Sequence, residues 1–169
     1  MDYFELFEIP VQLKVNTASL SRKFFELSKQ FHPDYVAMKG ADEQSQALEQ
    51  SAQINKAWKT FQSPDATIKY VLQSKGLLQE EEKYELPPAF LMEVLEINEQ
   101  LMDADDPEVR RQLQTTIDQL QSEIYEPVKK DIEHYTEDTV SEKELLQVKA
   151  YYYKKKYLDR IREQLAGKA

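Results

Sequence analysis

The sequence predicts an all-α protein with an N-terminal four-helix unit and a C-terminal antiparallel three-helix bundle. Apolar residues recur at intervals of three and four along much of the 169-residue chain, and no stretch alternates as a half-buried strand does. Residues 1–75 carry nine basic and nine acidic side chains, so the whole net charge of −9 belongs to residues 76–169. This asymmetry indicates two modules with different surfaces.

The composition excludes several classes of function. The absence of cysteine rules out disulfides, thiolate metal sites and cysteine nucleophiles, and the three glycines form no phosphate-binding loop, so no metal and no cofactor are expected. The acidic second half disfavours nucleic acid as a partner. Apolar runs are too short to span a membrane, and the acidic N-terminus is unlike a signal peptide. We therefore expect a soluble cytoplasmic protein with no membrane partner.

Four helices are expected within residues 1–75, and the first is a short one between residues 2 and 9. The second begins at the N-cap, Asn16 or Thr17, and ends before Pro33. Its apolar residues recur at helical spacing and share one face: Leu20, Phe24, Leu27 and Phe31. This face predicts a helix that packs on a neighbour through one side only.

A polar loop from His32 to about residue 41 separates that helix from a third one. The apolar face of the third helix comprises Ala47, Ser51, Ile54, Trp58 and Phe61. The two faces can pack on each other. The fourth helix begins at Ser63-Pro64, because serine caps a helix and proline favours its first position, and it stops at Gly76.

Residues 76–88 form a connector that is either a hinge or a stiff spacer, since it holds three consecutive glutamates and a proline pair. Residues 89–169 carry three helical patterns with short connections, which predicts an antiparallel bundle. The last of these helices begins at a capping box, Ser141-x-x-Glu144. Pro127 lies within the second pattern and is expected to bend it.

The tripeptide His32-Pro33-Asp34 joins an imidazole, a fixed backbone angle and a carboxylate at the turn between two packed helices. One interpretation is a polar turn that ends a helix, because proline and aspartate favour turns. The other is a docking surface, since basic side chains of the preceding helix lead to this turn, away from its apolar face: Arg22 and Lys29, with Lys23 on the flank. Exposed basic charge suits an acidic protein partner.

Residues 1–75 resemble a J domain, the module that stimulates the ATPase of DnaK-type chaperones. Besides the basic helix and its tripeptide, the resemblance rests on Ile54-Asn55-Lys56-Ala57-Trp58 and Ser63-Pro64. It implies that the chaperone is bound by His32, Pro33, Asp34, Arg22, Lys23 and Lys29. It also implies that these residues perform no covalent chemistry. Tyr35 stands where many J domains have a basic residue.

The whole chain resembles the HscB-type co-chaperones of iron–sulfur cluster assembly, in their bacterial form. Residues 1–7 and the segment Phe90-Leu91-Met92-Glu93-Val94-Leu95-Glu96 carry this resemblance. Most general J-domain proteins continue into Gly/Phe-rich and cysteine-rich regions, which this chain lacks. The resemblance implies a non-enzymatic adaptor that is monomeric when free. Its implied partners are an HscA-type chaperone of the DnaK family and an IscU-type scaffold protein.

The helix that begins at Pro88 has two apolar faces. The natural core face comprises Phe90, Val94, Ile97 and Leu101, and the nearly opposite face comprises Leu91, Leu95 and Met102, with Met92 alongside. A small bundle cannot readily bury both, so the second face is expected to stay partly exposed as a partner site, unless the connector or the N-terminal unit covers it. The resemblance implies that the scaffold is bound by Leu91, Met92, Leu95, Glu96, Glu99 and Tyr157. Tyr157 replaces a phenylalanine seen in relatives.

Two other functions stay open from the sequence alone. The same J domain also suits an adaptor that delivers a different protein client, which a pull-down would identify. His32 and Asp34 also suit an acid–base pair in an enzyme, although a turn between two helices seldom provides the pocket that such chemistry needs. A fully exposed His32 would argue against that enzyme.

Overall fold

The computed structural model describes residues 2–167, and every regular element among them is helical. The N-terminal unit comprises α1 (Tyr3–Leu6), α2 (Thr17–Gln30), α3 (Pro33–Val36), α4 (Ala41–Gln62) and α5 (Pro64–Ser74). The remainder comprises α6 (Pro88–Leu101), α7 (Pro107–Tyr125), α8 (Lys129–Glu133) and α9 (Glu142–Gly167). The predicted all-α class is confirmed. None of these described helices is long and apolar enough to cross a membrane.

The helix ends follow local rules that the sequence displays. At the start of α2 the Asn16 side chain accepts a hydrogen bond from the Ser19 amide at 3.3 Å. At the start of α9 the Ser141 amide donates to the Glu144 carboxylate at 3.2 Å, and the Ser141 hydroxyl accepts from the Glu144 amide at 3.3 Å. This is the reciprocal capping box. Gly76, just after α5, has φ of 73°, a conformation that glycine adopts more readily than other residues.

The structure adds one short helix and divides a long one. α3 occupies part of the loop expected from residue 32 to about 41, because proline favours the first helical turn and His32 caps it. The bend expected at Pro127 is a complete interruption of the helix. α7 ends at Tyr125, and α8 resumes only after a 3₁₀ turn, Glu126–Val128, since proline has no amide to donate to the helical ladder.

Two apolar clusters form the core, and α9 contributes to both. The first cluster joins buried side chains of the N-terminal unit to buried side chains between Val128 and Tyr152. The second lies between α6, α7 and the second half of α9, and includes Phe90, Val94, Ile97, Leu101, Leu113, Ile117, Leu120, Leu158, Ile161 and Leu165. The N-terminal helices therefore pack directly on the first half of α9.

Polar and aromatic contacts hold the connector against α9. Glu82 Oε2 lies 2.6 Å from Lys149 Nζ, and the Tyr84 ring stacks on that of Tyr153 with centroids 4.5 Å apart. Leu78, at the start of the connector, is buried in the first apolar cluster. These contacts are those of a stiff spacer rather than of a free hinge.

An ion pair crosses from α5 to α9 beside this connector. Lys155 Nζ lies 2.7 Å from Asp65 Oδ2 and 3.0 Å from Asp159 Oδ2. Burial by itself lowers the pKa of Lys155, but the hydrogen bonds to the two carboxylates outweigh burial and raise that pKa. Burial also raises the pKa of Tyr151, one turn earlier on α9, to about 12. This interface therefore stabilises the charged ammonium form of Lys155 and the neutral phenol form of Tyr151.

Candidate functional site: two exposed docking surfaces

The first surface lies at the turn between α2 and α4. Phe24 of α2 stacks on Trp58 of α4 with ring centroids 4.8 Å apart, and this contact fixes the two helices behind the turn. The turn holds the tripeptide away from the core, with 56% of the His32 side chain and 91% of the Asp34 side chain exposed. We call His32, Pro33 and Asp34, together with the basic residues of α2, the tip surface.

His32 has a defined local role in the tip surface. Its Nδ1 accepts a hydrogen bond from the Asp34 amide at 3.2 Å and lies 3.6 Å from the Asp34 carboxylate. Both contacts use Nδ1 and hold the imidazole ring beside Asp34, which leaves Nε2 as the ring nitrogen that can contact a partner. Pro33 fixes the backbone between the two residues. The tripeptide therefore presents an imidazole and a carboxylate in one arrangement.

The three basic residues of α2 differ in their surroundings. The Arg22 side chain is 91% exposed and forms only a surface ion pair one turn further along the helix. Lys29 is exposed near the tripeptide, with Nζ 5.9 Å from the centre of the Tyr35 ring. Lys23 Nζ lies 3.0 Å from Glu8 Oε2, and its side chain is only 27% exposed. Lys23 is therefore engaged within the chain, whereas Arg22 and Lys29 are open to a partner.

One exposed aromatic side chain of α2 was missed by reasoning from the sequence. Phe25 is 69% exposed, and helical spacing puts it on the same side as Arg22 and Lys29, which are three residues before it and four after it. The spacing itself contains this signal, because Phe25 falls outside the face that buries Leu20 and Leu27. Aromatic and arginine side chains together are typical of protein interfaces.

The second surface lies on the outer side of α6. The inner side is buried in the second apolar cluster, as its spacing predicts. On the outer side Leu91 is 42% exposed, Met92 61% and Leu95 53%, and the carboxylates of Glu96 and Glu99 are exposed beside them. Neither the connector nor the N-terminal unit covers these side chains. We call these five residues the α6 surface.

Tyr157 and Met102 are placed differently relative to the α6 surface: Tyr157 packs on the inner side of α6, and Met102 continues the outer side. Tyr157 of α9 is half-buried, and its ring is nearly perpendicular to that of Phe90, with centroids 6.4 Å apart. Met102 is 79% exposed and extends the apolar stripe by two further turns beyond Leu95. Residues 85–108 include eight acidic and no basic side chains. An apolar stripe surrounded by acidic charge suits a basic protein partner.

Neither surface has the geometry of a metal or acid–base site. Within residues 2–167 no group of three or more His, Asp or Glu side chains is placed to hold a metal ion. His32 and Asp34 lie on an exposed turn, with 56% and 91% of their side chains exposed, whereas acid–base catalysis usually takes place in an enclosed pocket. The arrangement of both surfaces favours contacts between proteins.

Comparison with known proteins agrees with this arrangement. Residues 86–166 match the family model described as HSCB C-terminal oligomerisation domain. The crystal structure of human co-chaperone protein HscB shares 26% identity with this chain, over 99% of this chain and 82% of that one, with a TM-score of 0.81. The structure of the chaperone HscB from Vibrio cholerae shares 29% identity, over 98% of this chain and 99% of that one, with a TM-score of 0.66. Residues 86–166 are therefore an HscB-type C-terminal domain, and the chain is similar over nearly its whole length to HscB co-chaperones.

Proposed function

We propose that this chain is a co-chaperone that couples an HscA-type chaperone to an IscU-type scaffold protein during iron–sulfur cluster assembly or transfer. In this proposal residues 1–75 are the J domain, residues 76–88 the linker, and residues 89–169 the scaffold-binding domain. The chain acts in the cytoplasm as an adaptor, with no cofactor and no covalent chemistry of its own. The HscB-type C-terminal domain and the similarity of the whole chain to HscB co-chaperones support the co-chaperone role.

One observation carries the proposal: the chain exposes two chemically different surfaces on one stiff frame. The tip surface is polar and basic, and the α6 surface is apolar with acidic neighbours. Contacts from α9 to the connector and to α5 hold the frame together. A frame of this kind can bring two partners to a fixed separation, which raises the effective concentration of one near the other.

At the tip surface the chaperone is recognised in one conformational state. His32 and Asp34 supply an imidazole and a carboxylate, Pro33 fixes the backbone between them, and Arg22 and Lys29 supply positive charge around them. Lys23 takes part only if it leaves its present acidic partner, Glu8, which follows α1. Docking accelerates hydrolysis only if the tip surface binds the hydrolysis-competent state of the chaperone better than its other states. The stimulation of ATP hydrolysis therefore arises from the difference in binding free energy between the states of the chaperone. It needs no group of this chain that reacts with ATP.

At the α6 surface the scaffold is held mainly by apolar contact. Leu91, Met92 and Leu95 supply the area that is removed from water, and Tyr157, which packs on Phe90, adds an aromatic contact from α9. The carboxylates of Glu96 and Glu99 steer a basic region of the scaffold to this area and fix its orientation. The two kinds of contact together give both affinity and a defined register.

The experiment that tests the proposal is the steady-state ATPase rate of an HscA-type chaperone, measured with this chain, with an IscU-type scaffold, and with both. We expect stimulation by the chain alone and a larger than additive rate with both proteins, because the adaptor joins them. Stimulation without any effect of the scaffold would support the J-domain role and would indicate that the client is a different protein. No stimulation at all would refute the co-chaperone role.

A further inference from the structure

The corner between α3 and α4 holds an apolar groove that the proposed function does not use. The groove has a volume of about 380 Å³, and its apolar lining comprises Phe31, Pro33, Val36, Ala41, Ala47 and Leu48. Leu48 is 65% exposed, and Met38, in the loop between the two helices, is 98% exposed. Exposed apolar side chains around an apolar groove are typical of a surface that another protein covers.

The groove is formed before any partner arrives. Gln44 Nε2 donates to the backbone oxygens of Ala37 at 3.2 Å and Lys39 at 2.7 Å, and so fixes the loop between α3 and α4. Val36 is buried and anchors α3 on α4 from below. A groove whose walls are already held in place loses little conformational freedom when it is filled, so apolar contact there is converted efficiently into affinity.

We infer that an apolar side chain of the ATP-bound chaperone inserts into this α3–α4 groove when the tip surface docks. Pro33 is both the centre of the tripeptide and part of the groove lining, so a protein seated on the tripeptide also covers the groove. Exposed charges of both signs surround the groove: Lys29, Lys39, Asp42 and Glu43. Its apolar lining and its continuity with the tripeptide, rather than charge, therefore favour this occupant. The inference rests on the proposed function and adds a contact outside the tripeptide and α2.

The test is the ATPase rate of an HscA-type chaperone, titrated with the full chain and three variants. Leu48→Ser removes an exposed apolar wall of the groove, and Leu48→Met keeps its apolar character. Leu146→Ser is the matched control, since Leu146 is also apolar and 45% exposed but lies on α9. We expect Leu48→Ser to raise the half-maximal concentration about fivefold or more at an unchanged maximal rate. The other two variants should match the original chain.

Two outcomes of this titration would overturn the inference. One is an unchanged half-maximal concentration for Leu48→Ser, and the other is an equal increase for Leu146→Ser. His32→Gln separates the inference from the proposed function. If His32→Gln abolishes stimulation while Leu48→Ser is unchanged, only the groove contact is wrong. If His32→Gln still stimulates fully, the docking role of the tripeptide is wrong.

A second copy of this chain is the rival occupant, and sedimentation velocity distinguishes it from the chaperone. We expect a monomer at the concentrations of the ATPase assay, both for the original chain and for Leu48→Ser. Self-association that Leu48→Ser abolishes would assign the groove to a second copy and overturn the chaperone contact. Equal thermal midpoints of the two proteins are expected, because an exposed side chain contributes little to folding.

Discussion

The tip surface and the α6 surface differ in the forces that they offer a partner. The tip surface has an imidazole, a carboxylate and two open basic side chains in a fixed turn. The α6 surface has three exposed apolar side chains, and no basic residue lies between residues 85 and 108. Polar groups in fixed geometry discriminate between states of a partner, whereas apolar area removed from water mainly sets how long a complex lasts. The comparison indicates that recognising one conformational state of a partner requires fixed polar groups, whereas retaining a bound protein requires apolar area.

The opposite charges of the two surfaces also separate their partners. A partner acidic enough to dock on Arg22 and Lys29 is repelled by the carboxylates around Leu91 and Leu95, and a basic partner is repelled by the tip surface. Specificity thus arises from repulsion at the wrong surface as well as from attraction at the right one. If this is correct, substitutions at one surface leave binding at the other unchanged.

The largest effect is expected from His32→Gln. The substitution replaces the rigid imidazole that accepts from the Asp34 amide with a flexible amide, so the arrangement of the tripeptide is lost. We expect ATPase stimulation of the HscA-type chaperone to be abolished in single-turnover hydrolysis. The affinity for an IscU-type scaffold should stay unchanged in isothermal titration calorimetry. A variant with weakened scaffold binding as well would show that the two surfaces are not separable.

The converse change is Leu91→Ala combined with Leu95→Ala. Loss of two exposed anchors should weaken scaffold binding by about 1–3 kcal/mol for each residue, as calorimetry would measure it. Stimulation of the chaperone by the variant alone should equal that of the original chain. Leu146→Ala is the control, because it truncates an apolar side chain with 45% exposure elsewhere on the surface. Unchanged scaffold affinity in the double variant would show that Leu91 and Leu95 do not bind the scaffold.

Features that depend on near neighbours in the sequence could be predicted. The buried face of α6, with Phe90, Val94 and Ile97, follows from residues three and four apart, and its exposed outer side follows by geometry. The capping box at Ser141 and Glu144 follows from a four-residue pattern. The sequence therefore indicates the longer helices and which of their faces are buried or exposed, since these are local properties, whereas the roles of the surface residues rest on the family resemblance.

Features that depend on distant segments could not be predicted. The pairing of Lys155 with Asp65 joins residues 90 positions apart, and neither segment contains a sign of it. Helical spacing puts Lys23 on the flank of α2, but it does not show that Glu8, which follows α1, pairs with Lys23. α3 is only four residues long, so periodicity cannot detect it.

A smaller effect is expected from loosening the frame between the two surfaces. Lys155→Met removes the ammonium that pairs with Asp65 and Asp159, and it leaves the partly shielded Asp65 carboxylate without a cation. The free energy of unfolding should fall by about 1–3 kcal/mol in chemical denaturation, between the values for exposed and buried pairs. Lys156→Met, at the exposed neighbour, is the control and should change it by less than about 0.5 kcal/mol. Equal losses would show that the ion pair does not stabilise the frame.

The smallest effect is a pH dependence of the same frame. Hydrogen bonds from Lys149 and then from the Gln79 amide lower the pKa of Glu82 below its ordinary value of 4.5. A carboxyl whose pKa is lower in the folded chain stabilises the fold above its unfolded pKa, and this contribution is lost as the pH falls through the folded value. From about pH 5.5 to about pH 3.5 the thermal midpoint should therefore fall less in Glu82→Gln than in the original chain. The contribution of the Glu82 carboxylate to the free energy of unfolding should stay below about 1 kcal/mol. Identical midpoints at every pH would leave the stacking of Tyr84 on Tyr153 as the contact that fixes the connector.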